Sequence, residues 1–334
     1  MRHYFNLNIK HAYYDAHRDE KTELTGAAAY WLGGNKALVY FGTETVETIN
    51  QAKKPIEAFN FIQLGDNVEN WDDCVVTTIQ NGRIWIYKPA GKVEDGEKIS
   101  FKRSKNDATD TLDILKTMSV KMVHERPLSI SQVPLILASM RVNPKFSLST
   151  FWEIDRKKYI GNIAAIQAAT GEWEPGFKVD PLECLSSIEL ETLIAKLFEA
   201  HDCFVPAYKG GFLADVDLFV TPKSRVKLAG LVLNPSKNDK KRLTWSIQVK
   251  KSVKLDKLDR RLADWLTRER HLLITLNENA DRRHPPVTDH HLNRDWLRDA
   301  IAQTPSVQGW LAESLSWLPE EHQSPPLNGM VSKG

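Results

Sequence analysis

The chain has 334 residues, a length that suits about two domains of roughly 100–200 residues each. Apolar residues make up 42% of it and charged residues 26%, as in ordinary globular proteins, and no apolar run approaches the roughly 18 residues of a membrane-spanning helix. The net charge of only +2 means that bulk charge does not indicate a nucleic-acid-binding protein. Three widely separated cysteines argue against a disulfide framework or a thiolate zinc site. Since the N-terminus also lacks an apolar signal core, we expect a cytoplasmic protein with no membrane partner.

The first half of the chain, residues 1–175, is predicted to be a mixed α+β domain that recognises or senses a target. Segments 36–42, 74–80 and 83–89 are rich in β-branched and aromatic residues and are expected to be strands. Asn81-Gly82 lies between the last two and predicts a tight hairpin. Helices are predicted over 43–54, within 98–118, over 130–143 and over 160–170.

Aromatic residues are concentrated in this half of the chain. In a strand-rich domain they are expected to pack in a core, and the alternative is a pocket or stacking surface for a nucleic-acid base. The residues concerned are Tyr4, Phe5, Tyr13, Tyr14, Tyr30, Trp31, Trp71, Trp85 and Tyr87.

A linker is predicted over 170–183, where two glycines and two prolines interrupt the pattern. The second domain is expected over 180–318, followed by a polar, proline-rich tail over 319–334 that is predicted to be disordered.

The second domain begins with an amphipathic helix, because Ser186 and Glu189 form a capping box and apolar residues then recur at helical spacing. Strands are expected over 210–220, 225–234 and 243–251. A helix over 255–270 and a buried strand over 271–277 follow. The final strand–helix–strand step predicts a parallel pair with a right-handed crossover, and the order of elements is that of an α/β domain.

Two acids, a glutamine and a lysine follow one another along these elements. Glu191 borders the apolar stripe of the helix, Asp217 lies in the first strand, and Gln248 and Lys250 share one face of the third. Carboxylates bind Mg²⁺ through hard oxygen atoms, and a bound metal polarises a phosphate and helps to generate hydroxide. A lysine beside the metal orients water or offsets charge in the transition state. The layout is typical of a metal-dependent phosphodiester nuclease.

Three motifs resemble those of the PD-(D/E)xK nuclease superfamily, in particular its Mrr-like restriction endonuclease branch. They are LETLIAKLFEAHDC (190–203), GGFLADVDLF (210–219) and IQVKK (247–251), within residues 186–277. The resemblance implies a restriction-endonuclease-like αβββαβ core. It implies that Mg²⁺, or Mn²⁺, is bound by Asp217 with Glu191 and the backbone carbonyl of Val249. It also places Gln248 and Lys250 at the two functional positions of a Gln-x-Lys motif.

Two positions depart from the pattern of this branch. Asp215 stands where a glycine is usual before Val-Asp, and Asp202 stands where a glycine commonly ends the helix. Asp215 shares a strand face with Asp217. We therefore expect Asp215 beside the metal ligands, or at the mouth of the cleft, rather than as a ligand itself.

The implied activity is that of a metal-dependent endodeoxyribonuclease of restriction or anti-phage defence type. Its partners would be duplex DNA, modified or unmodified, and a second copy of the chain in a homodimer or transient dimer. Basic clusters at 223–227, 237–242, 249–254 and 259–270 favour contact with phosphates. Two alternatives stay open. One is a non-cleaving nucleic-acid-binding protein on a degenerate nuclease fold, and the other is a nuclease of this fold that acts in DNA repair, on mobile elements or on RNA.

Overall fold

A computed structural model gives the structure of the protein. It describes residues 2–7, 12–15, 21–23, 35–42, 45–48, 71–80, 82–102, 111–141, 151–206, 216–235, 244–251, 270–277 and 290–325. Over these residues the chain is mixed α+β, and it divides into two compact units, Met1–Pro175 and Gly176–Gly334. The division falls inside the glycine- and proline-containing segment 170–183. None of the helices described is long and apolar enough to cross a membrane.

The first unit is built on one mixed sheet of nine described strands. The strands are β1 (His3–Leu7), β2 (Ala12–Asp15), β3 (Lys21–Glu23), β4 (Lys36–Gly42), β5 (Cys74–Gln80), β6 (Arg83–Lys102), β7 (Thr111–Met122), β8 (Leu128–Ser129) and β9 (Phe151–Glu153). Neighbours follow the order β3-β2-β6-β5-β1-β9, with β7 pairing β6 and β4, and β8 pairing β6. The three strands predicted here are confirmed, and β5 and β6 form the predicted antiparallel hairpin, with Gly82 at φ 70°.

The helix predicted within 98–118 is wrong, because this region holds the end of β6 and most of β7. Strand β7 is paired on both sides, with β4 and with β6. Its β-branched residues Thr111, Ile114, Thr117 and Val120 favour a strand. Hydrogen bonding of β7 to a strand on each side therefore outweighs the helical spacing of the apolar residues in this segment.

The helix predicted over 130–143 is confirmed only in part. Helix α1 (Leu135–Ala138) lies between two 3₁₀ turns, Ile130–Gln132 and Ser139–Arg141. Pro134 separates the first turn from α1, since it has no amide hydrogen to continue a hydrogen-bonded turn.

Helix α2 (Ile160–Thr170) confirms the helix predicted over 160–170. Of the helix predicted over 43–54, residues 46–48 form a turn, and 43–44 and 49–54 lie outside the described residues.

The aromatic side chains of the first unit lie in its core where the structure describes them well. Tyr4, Phe5, Trp85 and Tyr87 are buried, which confirms the core interpretation for these four. Trp71 is half-buried. The side chains of Tyr13, Tyr14, Tyr30 and Trp31 lie outside the described part of the structure.

The second unit combines helices with a five-stranded mixed sheet. Its elements are α3 (Ser187–Ala200), β10 (Cys203–Phe204), β11 (Leu218–Pro222), β12 (Val226–Leu228), β13 (Leu231–Leu233), β14 (Trp245–Lys250), β15 (His271–Thr275), β16 (His291–Leu292), α4 (Arg294–Ala302) and α5 (Pro305–Ser314). The sheet order is β10-β11-β14-β15-β16. Strands β14 and β15 are parallel, as predicted. A crossover helix is predicted between them over 255–270. Of this segment, residues 255–269 lie outside the described residues.

The single strand predicted over 225–234 is wrong. This segment is a hairpin in which β12 and β13 pair with each other and not with the five-stranded sheet. Ala229 and Gly230 form its two-residue turn, with φ of 46° and 83°. Positive φ at both central residues is the geometry of a tight hairpin, but Ala-Gly is a weaker sequence signal for it than Asn-Gly. The middle strand of the predicted αβββαβ order is therefore replaced by a hairpin outside the sheet.

The predicted disorder from Pro319 onward differs from the structure over residues 319–325. Glu320–His322 forms a 3₁₀ turn, and Gln323 is buried. The amide of Val179 donates to the carbonyl of His322 over 2.9 Å, and the carbonyl of Val179 accepts from Ser324 over 2.8 Å. These backbone partners are distant in sequence, so polar composition did not reveal them. Residues 326–334 lie outside the described part.

Candidate active site

Helix α3 begins where the capping box predicts. The hydroxyl of Ser186 accepts a hydrogen bond from the amide of Glu189 over 3.2 Å, and Glu189 Oε2 accepts from the amide of Ser186 over 2.7 Å. Glu191 lies beside the buried apolar stripe of the helix and is half-buried itself. The stripe comprises Leu190, Leu193, Ile194, Leu197 and Phe198.

Asp217 directly precedes β11 and lies against β14. Its amide donates to the carbonyl of Ile247 over 2.9 Å. Its Oδ2 accepts a hydrogen bond of 2.7 Å from the amide of Val249. The same oxygen lies 3.6 Å from Nζ of Lys250. The side chain of Asp217 is thus fixed at the end of β14 that carries the predicted lysine.

Glu191 is coupled to this pair through its charge. Burial, and next the negative charge of Asp217, raise the pKa of the Glu191 carboxyl to about 7, and the Lys250 ammonium opposes the rise. Helix α3 therefore places Glu191 within electrostatic range of both charges. The structure therefore brings together three of the four predicted catalytic side chains, from α3, from the start of β11 and from β14.

Gln248 is the fourth predicted residue. It lies two positions before Lys250 in β14, and alternation places both side chains on one face of the sheet. The residue is 4% exposed, and its Oε1 is buried with no hydrogen-bond partner among the described residues. A buried amide oxygen without a partner is costly, so an electropositive ligand at this position would stabilise it.

The donor atoms at this site suit a divalent cation. Glu191 and Asp217 supply carboxylate oxygens, and Gln248 and the carbonyl of Val249 offer neutral oxygens, the donor type that Mg²⁺ and Mn²⁺ prefer. Over the part of the chain that the structure describes, no three His, Cys, Asp or Glu side chains form a group that could hold a metal. A cation here would rest on two carboxylates completed by amide or backbone oxygen. The buried Oε1 of Gln248 fits that requirement.

Lys251 is a residue that the sequence reasoning did not assign. It lies on the other face of the chain from Lys250, and its Nζ donates to the carbonyl of Glu183 over 2.9 Å. Burial lowers the pKa of Lys251, and the charges of Glu183, Cys184 and Glu189 oppose the shift. This contact ties the end of β14 to the segment that leads into α3. The doublet Lys250-Lys251 was the available signal, since adjacent strand residues point to opposite faces.

Thr275 and His291 extend the polar face of the sheet beyond Lys250. Thr275 is paired in register with Lys250 on the neighbouring strand and is fully buried. Its Oγ1 lies 2.9 Å from Nε2 of His291, and burial lowers the pKa of that imidazole. Cross-strand neighbours share a face, so Thr275 is directed to the same side as Lys250. The sequence analysis treated β15 only as a buried strand.

Asp215 and the glycine pair Gly210-Gly211 lie outside the described residues, so the structure does not locate them. Comparison of the chain with protein-family models, with curated proteins and with solved structures finds no match. The geometry of Glu191, Asp217, Gln248 and Lys250 is thus the basis for a functional argument.

Proposed function

We propose that the protein is a Mg²⁺-dependent endonuclease that hydrolyses DNA phosphodiester bonds. In this proposal it belongs to the Mrr-like branch of the PD-(D/E)xK superfamily and serves restriction or anti-phage defence in the cytoplasm. One observation carries the proposal: the carboxylate of Asp217 lies 3.6 Å from the ammonium of Lys250, and the charges of both residues shift the pKa of Glu191. Residues far apart in sequence thus meet in the order acid, acid, Gln-x-Lys that this chemistry uses.

The order of the elements supports the same proposal. Helix α3 supplies Glu191, β11 follows Asp217, β14 carries Gln248 and Lys250, and β15 runs parallel to β14. A restriction-endonuclease-like core would have this order, with the hairpin β12–β13 as an insertion between its two motif strands. The first unit would then be the target-recognition domain.

The metal would be held by Asp217, Glu191 and the carbonyl of Val249, with Gln248 Oε1 as a further oxygen donor. When bound, Mg²⁺ or Mn²⁺ would polarise the scissile phosphate and lower the pKa of a water molecule. The two carboxylates bear the negative charge that recruits the cation. The amide of Val249 fixes one oxygen of Asp217, which leaves Oδ1 to face a ligand.

Lys250 would serve the phosphate and the attacking water. Its side chain is 42% exposed, so the ammonium can reach a substrate that approaches from solvent. A fixed ammonium beside the reacting phosphate stabilises the charge that develops in the transition state. Gln248, fixed in the strand on the same face, would orient water or hold the metal through its Oε1.

The test is nicking of supercoiled plasmid with Mg²⁺ present. We expect Asp217→Ala and Lys250→Ala each to lower the cleavage rate by about 100-fold or more, as losses of electrostatic groups at reacting phosphates do. Asp299→Ala and Lys121→Ala remove exposed charges elsewhere and should leave the rate unchanged. Full activity in the Asp217 or Lys250 variant would exclude the proposed site. Mg²⁺-independent DNA binding with no cleavage by the wild-type protein would instead favour a non-cleaving binder.

A further inference from the structure

We propose that the outward face of the hairpin β12–β13, together with the residues that lead into it, binds the phosphodiester backbone of the nucleic-acid substrate. This basic hairpin is defined as residues 223–233 and carries Lys223, Arg225 and Lys227. The proposal rests on the proposed function and adds to it the surface that holds the substrate away from the cleavage site. The hairpin lies in the connection between Asp217 and the strand that carries Lys250.

The hairpin is a rigid platform. Val226, Leu228 and Leu233 are buried, so one side of it is packed. The indole Nε1 of Trp296 donates to the carbonyl of Leu228 over 3.3 Å. At the turn, the amide of Ala229 donates to Oε1 of Gln303 over 3.2 Å. These contacts anchor the hairpin to α4 and to the residue that follows it, so its outer side chains are presented from a fixed backbone.

The outer side of the hairpin is cationic. Lys223, Arg225 and Lys227 are all exposed, and none of them forms an ion pair with another residue that the structure describes. Arg225 and Lys227 are two apart and so point to one side. Lys227 pairs in register with Val232, which is 40% exposed. By contrast, Arg294 and Arg298 of the same unit are engaged by Asp180.

Positive charge is concentrated in this part of the sequence. Residues 223–233 contain three Lys and Arg residues and no Asp or Glu, a net charge of +3, although the whole chain carries only +2. The hairpin does not need this excess of positive charge in order to fold, because its packed side is apolar. A surface whose cations form no ion pair with the described residues, in the connection between the strands of the candidate site, has the charge complementary to a polyphosphate chain.

The distance from the candidate site sets which phosphates this surface can reach. Lys223 follows Asp217 by six residues along an extended strand, which spans at most about 20 Å at roughly 3.3 Å per residue. One strand of a duplex presents a phosphate about every 3.4 Å, so this length covers about six phosphates. Lys223 is therefore expected to contact the backbone within about six nucleotides of the scissile bond.

The test measures the salt dependence of binding to a fluorescent duplex of about 30 base pairs, in EDTA so that no cleavage occurs. The variant is the triple replacement Lys223→Gln, Arg225→Gln and Lys227→Gln. Each phosphate contact contributes about 0.9 to the slope of log affinity against log salt. Loss of three contacts should therefore lower the slope by about 2.7. Between about 50 and 200 mM salt, the wild-type affinity should then fall about 40-fold more than that of the variant.

Two control variants accompany the triple replacement. Lys178→Gln removes an exposed charge of the second unit outside the hairpin and should leave the slope at its wild-type value. Lys223→Arg, Arg225→Lys and Lys227→Arg retain the charge and should do the same. An unchanged slope in the glutamine hairpin variant, or an equal change in either control, would overturn the proposal. Binding to an acidic peptide or an anionic vesicle in place of DNA would also overturn it.

Cleavage separates this proposal from the proposed function. With Mg²⁺ present, the hairpin variant should need a higher protein concentration than wild type to reach the same cleavage rate, because it has lost affinity for DNA. If wild-type protein binds DNA with the expected slope but does not cut, the nuclease assignment fails and the hairpin surface stands. If the protein cuts through Asp217 and Lys250 but the hairpin variant binds like wild type, only the hairpin proposal fails.

Discussion

At the scale of single residues, the candidate site places Glu191 close to the charge of Asp217 and partly out of water, which disfavours the ionised form of Glu191. Asp217 has one oxygen fixed by the amide of Val249 and approached by Lys250. Glu191 is drawn into a half-buried position near that carboxylate, and burial and the Asp217 charge raise its pKa to about 7. Groups with a pKa shifted in this way are common at functional sites, where a bound ligand or substrate supplies the opposite charge. The metal-free protein should therefore be least stable when Glu191 is ionised.

Glu191→Gln is expected to remove a pH dependence of stability. In EDTA the folded protein keeps a proton on Glu191 up to about pH 7, whereas the unfolded chain loses it near pH 4.5. The free energy of unfolding therefore decreases as pH rises between these values. Because solvent screens this half-buried group, the effect is modest. As pH rises from about 5 to about 8, the free energy of unfolding of the variant should increase by about 1 kcal/mol relative to that of wild type. Urea denaturation at both pH values measures it.

Glu199→Gln serves as the matched control, because Glu199 is an exposed carboxylate on the same helix. It should not change the pH dependence. An equal effect in both variants would mean that the pH dependence arises from the net charge of the helix and not from the position of Glu191.

At the scale of elements, one arginine joins three pieces of the second unit around the candidate site. Arg294, at the start of α4, pairs with Asp180 over 2.9 Å and also with Glu183. Its Nε donates to the carbonyl of Leu276, just beyond β15, over 2.7 Å. Lys251 joins the end of β14 to the same segment through Glu183. Helix α3 follows directly, so these contacts set where Glu191 stands relative to Lys250.

Arg294→Met is expected to lower the free energy of unfolding by about 2 kcal/mol, because it removes charged hydrogen bonds from the buried Asp180 and the half-buried Glu183. Asp180 keeps Arg298, at 2.7 Å, but Glu183 loses its guanidinium. Urea denaturation of the second unit measures the loss. Lys158→Met breaks an exposed ion pair with Asp155 and should leave the denaturation midpoint unchanged. Equal effects of the two replacements would contradict a stabilising role of the buried network.

Local patterns predicted those elements whose signals are contained within a few residues. Ser186 and Glu189 located the start of α3, and alternation along β14 placed Gln248 and Lys250 on one face. The strand β7 was mispredicted because its partner β4 is distant in sequence. The hairpin at Ala229-Gly230 was missed because Ala-Gly is a weak signal for a tight turn. Contacts such as Lys251 with Glu183 also join segments far apart in the chain. No spacing rule in the sequence reveals them, since they depend on how elements pack.

At the scale of the whole molecule, the chain is two compact units joined near residue 175, and the proposed chemistry lies in the second. A linker signal rich in glycine and proline lies at this division, and composition alone located it. In the proposed function the first unit recognises the target, and composition does not predict that target in the same way. Its buried aromatics Tyr4, Phe5, Trp85 and Tyr87 serve its core, so recognition would depend on surface residues that no short motif marks.

A concerted double-strand cut needs two reacting centres, and each chain carries one pair of Asp217 and Lys250. We expect the protein to act as a homodimer or transient dimer, so that plasmid is nicked at low protein concentration and linearised at high concentration. Below the dimer dissociation constant, the rate of linearisation should rise with about the second power of protein concentration, because two chains must meet on one substrate. Gel analysis of product over a protein titration measures this order.

Mixing gives an independent measurement of the same assembly. Excess Asp217→Ala protein added to a fixed amount of wild type should form mixed dimers that nick one strand. Linear product should therefore fall more steeply than nicked product. The hairpin variant with Asp217→Ala in addition provides the control, because it competes poorly for DNA. A similar fall in linear product with this variant would then arise from mixed dimers and not from competition for the substrate. The contrary result would be linearisation that is first order in protein and insensitive to mixing. One chain would then cut both strands in turn, because its single Asp217–Lys250 site would act on the second strand after the first.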